Sequence, residues 1–338
     1  MNSKRICVIG SNSFSGSNFV NKALNSGYKV LGISRSKEPL SVFLPYKWNN
    51  NIFENTTKNE FLFKKLDLNN DLEKIIDNLI NFRPDYVVNF AAQGMVAESW
   101  LNPTHWYKTN VVSQVAFHDE LRKLDFLEKY VHITTPEVYG STDSGWINEK
   151  HKFSPSTPYA VSRAACDMHL RSFFEAYNFP VIFTRAANVF GPGQQLYRII
   201  PRTILSALSG KKMSLHGGGK SIRSFIHISD VVDGTLKLLV DGQPGTTWHL
   251  STKEEISIKN LVERICHLCN VQFEKIVKVS DERLGKDQSY LLDSSSMRVN
   301  FKWDDKIDLN SGLKETIAWV DSNYDLLCKL PWDYVHKS

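Results

Sequence analysis

No stretch of this chain approaches the ~20 consecutive apolar residues of a membrane-spanning helix. The opening MNSKR and the short run ICVIG are too brief for a secretory leader, so the expected location is cytoplasmic and no membrane partner is expected. Cysteine is scarce and scattered, at Cys7, Cys166, Cys266, Cys269 and Cys328. The one C-x-x-C, Cys266 and Cys269, lies in the helix-like SIKNLVERICHLC and has no second ligand pair at zinc spacing. It reads as reduced thiols packed along a helix, and no metal site is expected. No run of cations exceeds a pair, as at Lys64–Lys65 and Lys211–Lys212, so the clustered basic and aromatic footprint of a nucleic-acid binder is missing. Internal repeats and low-complexity tracts are also missing.

What remains is ordinary globular material. Of 338 residues, 42% are hydrophobic and 23% charged, which rules out a disordered or collagen-like chain. A chain of this length buries about three quarters of its unfolded surface and needs no disulfide or metal staple. Lys plus Arg number 41 against 36 Asp plus Glu, a surplus of +5 that suits a small anionic ligand or simply a solvated surface.

The first half alternates strand-like and helix-like runs. RICVIG, KVLGIS, FLFKKLDL, DYVVNFAA, KYVHITT and PVIFTRAANV read as strands. Between them lie the helical SNFVNKALNSG, a DLEKIIDNLINF helix capped by Asn69 or Asn70 and halted by Pro84, a long stretch near 104–124, and another from Tyr159 to Tyr177. Apolar strands alternating with helices specify an α/β fold, a doubly wound parallel sheet of the Rossmann type. Beyond Asn188 the pattern turns irregular and richer in Gly and Pro, which marks a smaller C-terminal α/β unit. The expected division is a dinucleotide-binding unit over 1–187 and 226–250, and a second unit over 188–225 and 251–338.

The first strand runs into Gly10-Ser-Asn-Ser13-Phe14-Ser-Gly16 and then directly into a helix. Gly10 makes the tight turn, Gly16 permits close helix–strand packing, and the helix N-terminus offers N–H groups to a pyrophosphate. Ser13 stands where a middle glycine would be, its Cβ crowding the phosphate approach and its hydroxyl a possible compensating donor. The second strand ends in Ser34, Arg35 and Ser36, where an NAD binder usually carries an acid. A cation flanked by hydroxyls favours the 2′-phosphate of NADP, with NAD the alternative. Asp67 and Leu68, after the third strand, are placed at the adenine. Asp67 serves equally well as a turn cap. Ala91, Ala92 and Gln93 close the next strand on the nicotinamide side.

Gly10–Gly16, TTPEVYG (134–140), SPSTPYAVSRAACD (154–167), RAANVFGPGQ (185–194), GGGKSIRSFIHISDV (217–231) and RLGKDQSYLLD (283–293) together resemble the extended short-chain dehydrogenases/reductases. Within them the chain looks like the nucleotide-sugar 4,6-dehydratases, most like the dTDP-glucose branch, while GISRS is more like the GDP-mannose branch. The resemblance runs along nearly the whole chain.

The chemistry can be read from the residues themselves. Tyr159 would take the proton of a sugar hydroxyl, yet a phenol near its ordinary pKa of ~10 is a poor base at neutral pH. A cation one helical turn on would favour the phenolate. Arg163 has that spacing, where the family carries Lys, and keeps the charge with a bulkier, planar head that can still bind ribose hydroxyls. The resemblance makes Thr135 the hydrogen-bond partner of the reacting oxygen and Glu137 the base that removes the C5 proton once C4 is a ketone. Pro136 replaces the acid of the dTDP-glucose branch, leaving Glu137 to serve as base and then acid. By the same resemblance Asn188 and Arg223 bind the diphosphate, His216 faces the nucleotide base, and Arg283 belongs to the substrate pocket.

The implied reaction converts a nucleoside-diphosphate hexose to its 4-keto-6-deoxy product with internal return of hydride. The implied assembly is a homodimer through the helices near 104–124 and 158–177. An epimerase or decarboxylase of the same superfamily is the nearer alternative. A non-catalytic cofactor-binding subunit, suggested by Ser13, Pro136 and Arg163, is the other.

Overall fold

The apolar run of the first strand has no polar face, and in the computed structural model, which describes residues 3–48, 60–142, 145–281 and 289–337, it is buried on both sides. Ile6 and Val8 point to one layer of the core, Cys7 and Ile9 to the other. This is what a central strand of a parallel sheet requires.

In chain order the elements of this sheet and its layers are β1 (Arg5–Ile9), α1 (Phe14–Asn25), β2 (Lys29–Ser34), β3 (Phe61–Lys65), α2 (Leu72–Phe82), β4 (Tyr86–Asn89), α3 (Pro103–Tyr107), α4 (Ser113–Leu121), β5 (Lys129–Ile133), α5 (Pro158–Tyr177), β6 (Val181–Ala186), α6 (Ile199–Ser209), α7 (Ile228–Asp241) and β7 (Thr247–Leu250). The seven strands lie in the order β7-β6-β5-β4-β1-β2-β3, every neighbouring pair parallel. Phe19 and Val20 of α1 with Val231 and Leu238 of α7 cover one face. Ile75, Leu79, Phe117, Leu121, Cys166 and Leu170, from α2, α4 and α5, cover the other. Strand order reverses between β1 and β4, so a crevice opens above their carboxyl ends.

A separate cluster gathers Ile200 and Ile204 of α6 with Leu261 and Ile265 of the helix Ile258–Leu268 and Leu313 and Val320 of the helix Leu309–Ser322. The short strands Asn188–Phe190 and Phe225–His227 pair in parallel and bring this part of the chain against the carboxyl end of the sheet.

The sequence pattern and the structure part at two points. α2 begins after Asp71, not after Asn69 or Asn70, because the Asn69 amide is used elsewhere: it donates to Thr109 Oγ1 (3.0 Å) and accepts from Ser113 Oγ (2.8 Å). The long helix near 104–124 is broken into α3 and α4 by a π-helical turn, Lys108–Val112. All five cysteines are unpaired; Cys266 is buried in its helix and Cys269 sits at that helix's end. Among the described residues no helix is long and apolar enough to cross a membrane.

α5 has a well-made start. Thr157 accepts the Ala160 N–H at 3.1 Å, and Pro158 occupies the first turn, where its missing N–H costs nothing. Tyr159 is the next residue, so this cap also sets its position. Thr157→Ala should lower stability by about 1 kcal/mol and Thr157→Ser should restore most of it, read as urea midpoints.

Candidate active site

The Gly10–Gly16 loop is shaped by sterics. Gly10 sits at φ +80, and a Cβ there would meet Ala91 N at 2.8 Å and the Phe90 carbonyl carbon at 2.9 Å. A Cβ at Gly16 would overlap the Gly10 carbonyl oxygen. The Ser13 hydroxyl does not point outward as a donor to phosphate. It donates to Gly10 O (2.7 Å) and accepts from Gly16 N (3.0 Å), capping α1 from inside the loop. A middle glycine is unnecessary when its substitute folds back in this way. The first helical N–H groups, of Phe14 and Ser15, have no intrachain partner among the described residues, which is the arrangement that receives a pyrophosphate.

After β2, Ser34 accepts the Asn12 N–H (2.9 Å), and the Asn12 side chain donates to the carbonyls of Ser36 (2.9 Å) and Lys37 (3.1 Å). Ser34 is thus spent inside the loop, while Arg35 and Ser36 are half-buried at its rim. Asp67 acts as a turn residue, accepting from Asn69 N (3.0 Å) and the Asn70 side chain (3.3 Å), and Leu68 is buried beside it. Ala91, Ala92 and Gln93 leave β4 over the crevice, and two side chains hold them. Asn110 accepts the Gln93 N–H (2.8 Å) and donates to its carbonyl (3.1 Å), while Gln114 donates to the Ala91 carbonyl (3.0 Å). Neither was marked in the sequence, because a lone amide within a helical run carries no pattern.

Across the crevice, β5 leads through Thr134 and Thr135 into a short 3-10 turn, Pro136–Tyr139. Thr135 caps this turn, and its hydroxyl donates to the Glu137 carboxylate. Thr135 also lies close enough to the Tyr159 hydroxyl to act on its ionisation. Three of the expected catalytic residues therefore meet at one point, with Thr135 and Tyr159 buried and Glu137 half-buried. Burial, followed by the Glu137 charge, pushes the Tyr159 phenol up to about 12. Arg163, Thr135 and Arg198 pull it the other way.

Arg163 does not reach toward Tyr159 as the spacing suggests. Its guanidinium is 2% exposed, donates to the Ile133 carbonyl and stands 3.3 Å from His132 Nε2, leaving Nε and Nη1 buried with no partner. Its pull on the phenol is outweighed by desolvation. The two orphaned nitrogens are the donors that cofactor hydroxyls would satisfy. With the open helix N-terminus and the glycine cradle, they fit a dinucleotide.

Behind the site a buried ion pair locks the pieces together. Asp167 of α5 meets Arg185 of β6 at 2.7 Å, Thr134 donates to the same carboxylate oxygen (2.9 Å), and Arg185 donates to Tyr139 (2.9 Å) at the end of the Pro136–Tyr139 turn. Tyr139 in turn meets His249 Nε2 at 2.8 Å. One buried cluster among the described residues has the donor types of a metal site: His118, His132 and Cys166, with ligand atoms within 4.8 Å of one another. His118 Nε2 meets the Tyr130 hydroxyl (2.8 Å) and His132 meets Arg163, so a metal ion there would face a fixed cation.

The expected sugar-nucleotide residues fall into two groups. Asn188 donates to Ser224 O (3.3 Å) and accepts from Tyr290 (3.4 Å), and Arg223 stacks on the Tyr290 ring at 4.1 Å, so the three form one cluster. His216 lies apart, hydrogen-bonded to Ser280 (3.0 Å) where the strands Met213–His216 and Val277–Ser280 pair. Arg283 lies outside the described residues. Arg198, at the N-cap of α6, and Tyr290 join the site without having been singled out; Tyr290 belongs to the RLGKDQSYLLD segment, Arg198 to no recognised motif.

With this geometry in view, comparison with known proteins is decisive. The family described as GDP-mannose 4,6 dehydratase matches residues 7–316. The chain belongs to this family. Among curated relatives, a trifunctional UDP-glucose 4,6-dehydratase/epimerase/reductase of Arabidopsis thaliana is 29% identical over 95% of this chain. The chain spans about half of that plant protein (47%). A dTDP-glucose 4,6-dehydratase of Xanthomonas campestris is 28% identical over 94% of this chain and 93% of its own. The solved dTDP-glucose 4,6-dehydratase of Bacillus anthracis, in complex with NAD, superimposes with a TM-score of 0.84 at 28% identity, covering 97% of this chain and 100% of that one.

Gly10→Ala should cost about 1–3 kcal/mol of stability through the strained φ and the Ala91 clash and weaken dinucleotide binding with it, read as a urea midpoint and a binding isotherm. Wild-type values for both would remove the cradle argument.

Proposed function

We propose that this protein is a nucleotide-sugar 4,6-dehydratase, converting a nucleoside-diphosphate hexose to its 4-keto-6-deoxy product. The observation that carries the reading is the convergence of Thr135, Glu137 and Tyr159 at the mouth of a dinucleotide crevice. A bound nicotinamide dinucleotide would supply the hydride acceptor at C4 and the donor at C6, so no net oxidation occurs. Tyr159 takes the 4-hydroxyl proton while Thr135 holds that oxygen. The C4 ketone acidifies the C5 proton, which Glu137 removes, and the C6 hydroxyl then leaves as water with the proton carried by Glu137. Pro136 has nothing to donate, so the one carboxylate performs both transfers. Asn188, Arg223 and Arg198 are assigned to the diphosphate, since Arg forks bind two phosphate oxygens at once. His216 and Arg283 are assigned to the nucleotide end.

Glu137 separates this reading from an epimerase, which moves a hydride but removes no C5 proton. The folded-back Ser13 hydroxyl weakens the non-catalytic alternative, because this departure leaves the phosphate cradle intact. We assign 1–187 and 226–250 to the dinucleotide and 188–225 and 251–338 to the sugar nucleotide. We also infer a homodimer, supported by the exposed apolar Val112, Val161 and Met168 along the helices of 108–177. The unpaired thiols suit a reducing compartment, the cytoplasm.

For the cofactor we favour NADP, on Arg35 and Ser36 at the end of β2 with no acid beside them. Mass spectrometry of the dinucleotide released on denaturing the purified protein should find NADP. NAD alone would overturn that preference.

The reaction is tested with a panel of dTDP-, GDP-, UDP- and CDP-hexoses in heavy water. Loss of one water with gain of one solvent deuterium is expected for the correct substrate. Glu137→Gln should abolish water loss with dinucleotide binding intact, and unchanged turnover would refute its role. Since the Tyr159 phenol is raised to about 12, its basic form grows as pH rises, so the first oxidation step should accelerate with pH above neutrality. Tyr159→Phe should remove both that limb and the step.

A further inference from the structure

The segment 331–337 carries none of the motifs above, yet it crosses from α6 to the dinucleotide crevice. Asp333 pairs with Arg202 of α6 at 3.1 Å, and the Tyr334 ring packs edge-on against Tyr197 with centroids 5.3 Å apart. His336 then enters a stack. Its ring lies nearly parallel to His105 and to the wholly buried Trp106, at centroid separations of 5.2 and 5.1 Å, and one of its nitrogens meets His105 Nδ1 at 2.9 Å. The next residue ends over the sheet: the Lys337 carbonyl accepts from Gln93 Nε2 (2.6 Å) and from Arg35 Nη1 (3.3 Å).

Gln93 follows β4 and Arg35 follows β2, the two strands that flank β1. A carbonyl shared between them therefore bridges the carboxyl end of β1, above the Gly10–Gly16 loop. Among the described residues no hydrogen bond runs from 331–337 to that loop.

We propose that residues 331–337 are a retaining strap for the dinucleotide, anchored by the His336 stack and fastened across the crevice by the Lys337 carbonyl. This deepens the dehydratase reading and rests on its dinucleotide site. A reaction that stores a hydride on its cofactor and returns it to the same sugar gains from a cofactor that does not leave between the two transfers. Opposite-side anchoring slows departure without adding any contact to the reacting atoms.

The test measures exchange of bound dinucleotide for isotopically labelled dinucleotide in the full chain, in a deletion of 331–338 and in His336→Ala. Loss of the two carbonyl hydrogen bonds and the stack predicts dissociation about tenfold faster in the deletion, with His336→Ala intermediate and far-UV circular dichroism unchanged. His336→Ala also serves if the deletion fails to fold. Unchanged exchange in either folded variant overturns the strap. Slower exchange overturns it too, and identifies the segment as a competitor of the cofactor. If the intact chain takes up no dinucleotide, the site assignment itself falls and the strap falls with it, an outcome distinct from equal exchange in protein that binds.

Discussion

The buried pair of Asp167 and Arg185 is the constraint on which the site depends. Tyr159 rides on α5, Thr135 and Glu137 ride on the turn after β5, and neither element touches the substrate side through its own backbone pairing alone. Asp167 fixes α5 to β6 through Arg185 and to β5 through Thr134, and Arg185 fixes the far end of the turn through Tyr139. Removing one partner of such a pair leaves a charge without compensation in the core, which typically costs about 3–5 kcal/mol. The pair is thus a registration device, and its first effect is on the relative placement of three side chains.

The same region holds an unusual density of buried basic groups. His118, His132 and His249 are held neutral, chiefly by burial, and Arg163 adds a permanent charge beside His132. Asp167 faces His132 at 3.6 Å and bonds Arg185, and Glu149 accepts the His249 backbone N–H at 3.2 Å.

Much of this was legible in the sequence where a local rule coincides with a local structure. Apolar runs bounded by turn residues placed the strands, because burial on both faces leaves no choice of side chain. Gly10 and Gly16 could be read because their backbone positions admit no Cβ, and Tyr159 because Pro158 and Thr157 mark a helix start. Contacts between distant segments were not legible. Arg163 has the spacing for Tyr159, but spacing does not say that the Ile133 carbonyl and His132 compete for its head. Ser13 looked like an obstruction, and only its rotamer turns it into a cap. Asn110, Gln114, Arg198 and the 331–337 segment reach the site through tertiary folding, which leaves no periodicity in the chain.

The π-helical turn at Lys108–Val112 shows how tightly such distant contacts are geared. One extra residue is accommodated in that turn, and each residue of a helix advances the side chains by about 100°. His105 and Trp106 precede the insertion, while Gln114 follows it, with Asn110 inside. The turn therefore works as a phase shifter: it lets a single helical run aim one side at 331–337 and another at the loop after β4. Straightening it by deleting one residue would keep every amino acid that touches the crevice and still misdirect half of them. Length, there, is as much a part of the site as chemistry.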